Sequence, residues 1–183
     1  MKKETHFLWG SFSLREALLL GFCATFIVLT RASLRMHLGL AGHAMFFLMF
    51  FLILARGCVP KLGASTLVGV IAGLVCMLLG MTNMGPMILA NFIIPAIVVD
   101  IACFIYPALP RNYPACLALG ALASSSKSLS AAGLDLLLGM ETELILRHMI
   151  ITTASAAAFG ALGSLPVPAV IRRLQANRLI RTV

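Results

Sequence analysis

Charge is scarce in this chain, and acidic charge most of all. Six Asp and Glu stand against fourteen Lys and Arg, and charged residues make up 11% of the 183. A soluble domain carries about 25%. The deficit excludes a water-facing globule. Hydrophobic residues at 61% and a mean hydropathy of +1.03 point instead to a chain embedded in a bilayer. Catalytic signatures are missing too. There is no H-E-x-x-H, no G-x-S-x-G and no P-loop. The reading is therefore not an enzyme, with no catalytic residue, no metal site and no cofactor. Any ATP-driven work must come from partner subunits. The five cysteines, Cys23, Cys58, Cys76, Cys103 and Cys116, form no CxxC pair and read as small core residues. The single tryptophan, Trp9, lies near the inner interface, so an outer pocket cannot stack a ligand on indole.

What is present is a series of apolar runs. Six segments can be drawn, at about 13–32, 44–56, 62–81, 87–107, 112–134 and 143–171. The second is short for a span. Pro60, Pro86, Pro110 and Pro114 punctuate the connections, Pro95 falls inside the fourth segment, and Pro166 and Pro168 bend or end the sixth. The net charge of +8 could suggest a nucleic-acid partner, but the cations sit at segment ends. Placing the N-terminus inside puts ten of the fourteen Lys and Arg on the cytoplasmic side. The expected fold is all-α. It is a single transmembrane domain over 1–183, a six-helix bundle with both termini cytoplasmic and no nucleic-acid partner. The third, fifth and sixth segments are rich in small residues and should pack closely. The second and fourth are bulkier and read as more lipid-facing.

One stretch breaks the apolar pattern. "SSSKSLS" (124–130) places Lys127 inside the fifth segment, roughly 22 Å from Asn112 at about 1.5 Å per residue. A charge within a span usually faces a cavity or the protein interior. Ser124, Lys127 and Ser128 share one helix face. They can form a cationic anchor for a substrate, or Lys127 can pair with Asp135 or Glu141. Arg147 begins the sixth segment on the same outer side, and a carboxylate or phosphate ligand would suit it and Lys127. Asn91 and Asn83 could add amide hydrogen bonds. Arg31 and Arg35 fit interfacial salt bridges equally well. Asp100 lies deeper and fits a structural pair with Arg111 or Arg56.

The stretch "ARGCVPKLGASTLVGVIAGLVCMLLG" resembles the second-to-third helix region of S components of energy-coupling factor (ECF) transporters. The size, the six spans and the long first outer connection "RASLRMHLGLAGHAM" are similar as well. The resemblance implies a prokaryotic multi-pass cell-membrane subunit that binds a vitamin, vitamin precursor or metal ion at the outer face. It implies partners too: a transmembrane T component and two cytoplasmic ATPases. The first outer loop, with His43, would then form a lid over the pocket. S components dock through an Ala-x-x-x-Ala surface on the first helix, and Ala17, Gly21 and Ala24 offer a similar small-residue stripe. Metal-transporting members begin Met-His, whereas this sequence begins Met1-Lys2-Lys3, which argues against nickel or cobalt. The alternatives are a small intramembrane enzyme, which needs acid–base groups at one depth, and a ligand-free assembly subunit.

Overall fold

In hydrocarbon each backbone N–H and C=O must find its partner within the protein, and an apolar segment does so by coiling into a helix. The computed structural model describes residues 12–35, 44–81, 87–137 and 142–177, and the side chains among them except those of 34–35, 128–137, 142–146 and 148. Among these residues the regular elements are all helical. They are α1 (Leu14–Arg35), α2 (Ala44–Cys58), α3 (Ala64–Leu78), α4 (Met87–Ile105), a 3₁₀ turn (Leu109–Arg111), α5 (Tyr113–Leu137), α6 (Thr142–Ser164) and α7 (Val167–Ala176). The end holding Leu14, Cys58, Ala64 and Ile105 is the inner end by the count of basic residues.

Spans within α1 (Leu14–Ser33), α4 (Met87–Ile105) and the α6–α7 stretch (Met149–Ala176) are long and apolar enough to cross a membrane. Helices α2 and α3 have 15 residues each, roughly 22 Å at about 1.5 Å per residue, against a hydrocarbon core of about 30 Å. The sixth apolar segment is not one helix. It ends at Ser164, and Pro166 caps the separate α7, with Pro168 in its first turn. Pro95 stays inside α4, buried.

Helix α2 is the central post. It packs against α1, α3, α4, α5, α6 and α7, and Met45, Leu48, Met49, Leu52, Ile53 and Ala55 are buried along it. This corrects the expectation of a lipid-facing second segment. Lipid and protein interior are equally apolar, so bulk and hydropathy do not distinguish them. The chain instead exposes α1, where Leu14, Leu18, Phe22 and Leu29 point outward. The small-residue helices pack as expected. Helices α5 and α6 share the most extensive interface. Gly120 and Gly160 face each other so closely that a Cβ on either would overlap the other's carbonyl. Gly69 lies equally close to the Phe92 carbonyl of α4, and Gly163 to the Phe46 backbone of α2. All five cysteines are free and buried.

The inner end is fixed by one buried carboxylate. Gly63, at the N-terminus of α3, has φ 86°, a left-handed conformation that suits glycine and leaves the helix without a side-chain cap of its own. Asp100 of α4 supplies the cap. Its carboxylate accepts from the backbone N–H of Ser65 (3.3 Å) and Thr66 (2.8 Å), and from Thr66 Oγ1 (2.7 Å). Arg56 of α2 lies with Nε 3.4 Å from Asp100 Oδ1, both side chains buried. Of the two structural partners expected for Asp100, Arg56 is the one it meets. Ser65 Oγ in turn donates to the Leu52 carbonyl of α2 (2.9 Å). Three helices are thereby joined through one cluster. Removing one member of a buried ion pair costs about 3–5 kcal/mol. Asp100→Leu should therefore lower the melting temperature of the detergent-solubilised chain by roughly 6–20 °C at this size. Arg56→Met combined with Asp100→Leu should recover part of the loss, because the stranded charge is gone while the cap stays missing. Thermal unfolding of the three variants checks this.

Candidate functional site

The opposite, outer half carries a second polar layer, built from different helices. Lys127 lies roughly 21 Å along α5 from Tyr113, and Asn91 roughly 21 Å along α4 from Ile105, at about 1.5 Å per residue. Arg31 is roughly 26 Å along α1 from Leu14, and Arg147 a similar distance along α6 from Ser164. The four stand at comparable heights, well above the Asp100 cluster.

Their surroundings differ. Asn91 is 5% exposed, on the face of α4 that enters the bundle. Arg31 is half-buried and holds its guanidinium 4.8 Å from the ring centroid of the fully buried Phe92, a cation–π contact. Lys127 is half-buried, and Arg147 is exposed. Cations from α1 and α5 thus stand in the outer half at a height comparable to a buried amide, one of them over an aromatic face. Such cations favour an anionic group at that level.

The serines are a different matter. Ser124 is fully buried, and its Oγ donates to the carbonyls of Gly120 (2.7 Å) and Ala121 (2.9 Å) on its own helix. It sits in the α5–α6 seam, against Gly160. Ser125 Oγ donates to the Ala121 carbonyl (2.8 Å) and Ser126 Oγ to that of Ala123 (2.6 Å). These hydroxyls are satisfied by backbone one turn back, as serines in apolar helices commonly are. The stripe read as one polar face thus divides: Ser124 enters the seam, and Lys127 lies one turn further out. Ser128 belongs to α5 with its side chain outside those described, as is that of Asp135. Asn83, His43 and Glu141 lie outside the described residues. For Arg31 the sequence left two readings open, one of the cations gathered near the outer face or a member of an interfacial salt bridge, and the structure adds its contact with Phe92. The available signal was its position just inside the end of an apolar span.

The docking stripe also divides. Ala17 is exposed, and a Cβ at Gly21 would meet nothing within 4 Å. Ala24, one turn on, is buried in the core where α1 meets α2 and α3.

No protein-family model and no curated protein matches the chain. Among solved structures it is similar to the crystal structure of an S component of an ECF transporter. The TM-score is 0.65 over 92% of this chain and 88% of that one, at 17% sequence identity. The fold is that of an S component. The likeness covers most of the chain, as the resemblance noted in the sequence implied for its architecture.

The seam geometry gives a test. Ser124→Ala should leave folding intact, because the hydroxyl bonds only its own helix. Ser124→Leu should overpack the contact with Gly160, at a cost of about 1–3 kcal/mol. That corresponds to a melting temperature lower by roughly 2–12 °C, measured on the purified variants side by side.

Proposed function

We propose that the chain is the substrate-binding membrane subunit of an ECF-type importer. It takes up a vitamin, a vitamin precursor or a similar small molecule that carries an anionic group. The observation that carries this reading is the S-component fold over 92% of the chain. The outer polar layer supports it: Lys127 and Arg31 supply positive charge, Asn91 a buried amide and Phe92 an apolar floor. In this reading Lys127 and Arg31 hold the anionic group, Arg147 draws it in from solvent, and Ser128, Asn83 and His43 complete the outer rim. Ser124 contributes by holding α5 against α6. With no P-loop in the sequence, transport is driven by two cytoplasmic ATPases acting through a transmembrane T component.

Ligand binding tests the reading. Biotin, thiamine, its pyrimidine precursor, riboflavin, folate and pantothenate are added in turn to the purified chain in detergent, and thermal unfolding is followed. At a hundredfold excess over Kd a true ligand stabilises by about 2.7 kcal/mol, or roughly 5–10 °C at this size. One compound should produce such a shift, and Lys127→Met and Arg31→Met should each remove it while the ligand-free melting temperature stays close to that of the parent. A flat response to the whole panel would count against a vitamin-type substrate.

Partner docking falls on α1. Its outer face is open at Ala17 and Gly21, between the exposed Leu14, Leu18 and Phe22. Small residues let a second helix approach backbone to backbone. Gly21→Trp should leave thermal stability and ligand binding unchanged, since nothing lies within 4 Å of that position. It should abolish co-purification with the T component. Unimpaired co-purification would remove α1 as the docking helix.

A further inference from the structure

Helix α7 is set apart from the bundle in a way that transport does not require. The α6–α7 stretch runs 28 residues from Met149 to Ala176, roughly 42 Å at about 1.5 Å per residue, against a hydrocarbon core of about 30 Å. It breaks at Leu165–Pro166, and α7 packs against α2, the 3₁₀ turn and the start of α5, all at the inner end. Its two faces are chemically distinct. Val167, Pro168 and Ile171 are buried. Ile171 fills the space over Gly57, where a Cβ would overlap it, and Pro110 borders the same space. Arg172 and Arg173 project from the opposite face, exposed. Arg172 places its guanidinium 5.3 Å from the ring centroid of Tyr113, itself exposed at the start of α5, and Tyr106 is exposed nearby in the chain. Arg178 and Arg181 follow in the sequence. The two carboxylates among the described side chains are engaged elsewhere, Glu16 with Lys61 (2.7 Å) and Asp100 with Arg56.

We propose that α7 and the start of α5 form a binding site for the headgroups of anionic phospholipids. The amphipathic helix is seated by its apolar face on the protein and turns its guanidinium groups toward the headgroup layer. Tyrosine at that level is the side chain expected where hydrocarbon meets water. A guanidinium lying over Tyr113 keeps its edge N–H groups available for a phosphate, which it can engage through paired hydrogen bonds. A basic helix of this kind favours anionic over zwitterionic lipid by about fivefold for each cation near the surface. A lipid is favoured over an acidic protein because the cations share their level with exposed tyrosines and with the end of a membrane-length helix.

The test uses the full chain purified in mild detergent, with phosphatidylglycerol or phosphatidylcholine of identical acyl chains added at equal concentration. Native mass spectrometry counts retained lipid. Phosphatidylglycerol should be retained at least tenfold better. Arg172→Gln with Arg173→Gln should erase that preference without changing the melting temperature, because both side chains are exposed. Tyr113→Leu should weaken it while leaving net charge untouched. Equal retention of the two lipids by the parent would overturn the proposal, and so would a preference unchanged in the double variant. Both results are independent of whether a vitamin binds at the outer end.

Discussion

The bundle depends on a carboxylate that one helix lends to another. Helix α3 begins at a glycine in a left-handed conformation and has no cap of its own, yet its N-terminus lies deep in protein. Asp100 crosses from α4 to accept its free N–H groups and meets Arg56 of α2 in the same place. An uncapped helix end costs little in water and much in an apolar interior. The cap therefore fixes the relative height of α2, α3 and α4 as well as stabilising them. Everything above it is positioned from this point. Phe92 lies two turns further up α4, and Gly69 of α3 closes against its carbonyl.

The vertical separation of polar groups is the second organising fact. Each carboxylate described in the inner layer is paired: one meets a guanidinium and the other an ammonium. The outer layer holds cations of α1 and α5 at a height comparable to a buried amide of α4. Charge in a low-dielectric interior is retained where it has a task, and the two layers have different ones. The inner layer sets helix register. The outer layer is where the proposed function sets an anionic substrate. The seam between α5 and α6 stays dry and tightly packed through Gly120, Gly160 and Ser124, which fixes the helix that carries Lys127.

Much of this was legible in the sequence. Prolines and apolar runs marked the helices closely, and a structural pair for Asp100 with Arg111 or Arg56 followed from depth and charge, of which the structure shows Arg56. The close packing of the small-residue helices followed from Gly120 and its neighbours. Two things were not legible, for related reasons. The central place of α2 was hidden because a lipid tail and a protein interior select the same residues, so "AMFFLMFFLILAR" reads alike in either setting. The contact of Arg31 with Phe92 was hidden because a cation near a helix end can lean toward headgroups or back over the bundle. The serines around Lys127 read in the sequence as one polar cluster, whereas Ser124, Ser125 and Ser126 bond to their own helix backbone and Ser124 of these also fills the seam.

The shortness of α2 and α3 bears on how the chain enters its membrane. A helix of 15 residues cannot cross unaided, and a ribosome-bound chain delivers its segments in order. Helix α1, long and apolar on its outer face, can cross at once. Helices α2 and α3 meet through the turn at Gly63 and can cross only as a hairpin shielded by protein. Asp100, which secures that hairpin, is synthesised some 35 residues after the helix it caps. Until α4 arrives the hairpin has an open end in the membrane. Until then the N–H groups of Ser65 and Thr66 lack the acceptor that later caps them.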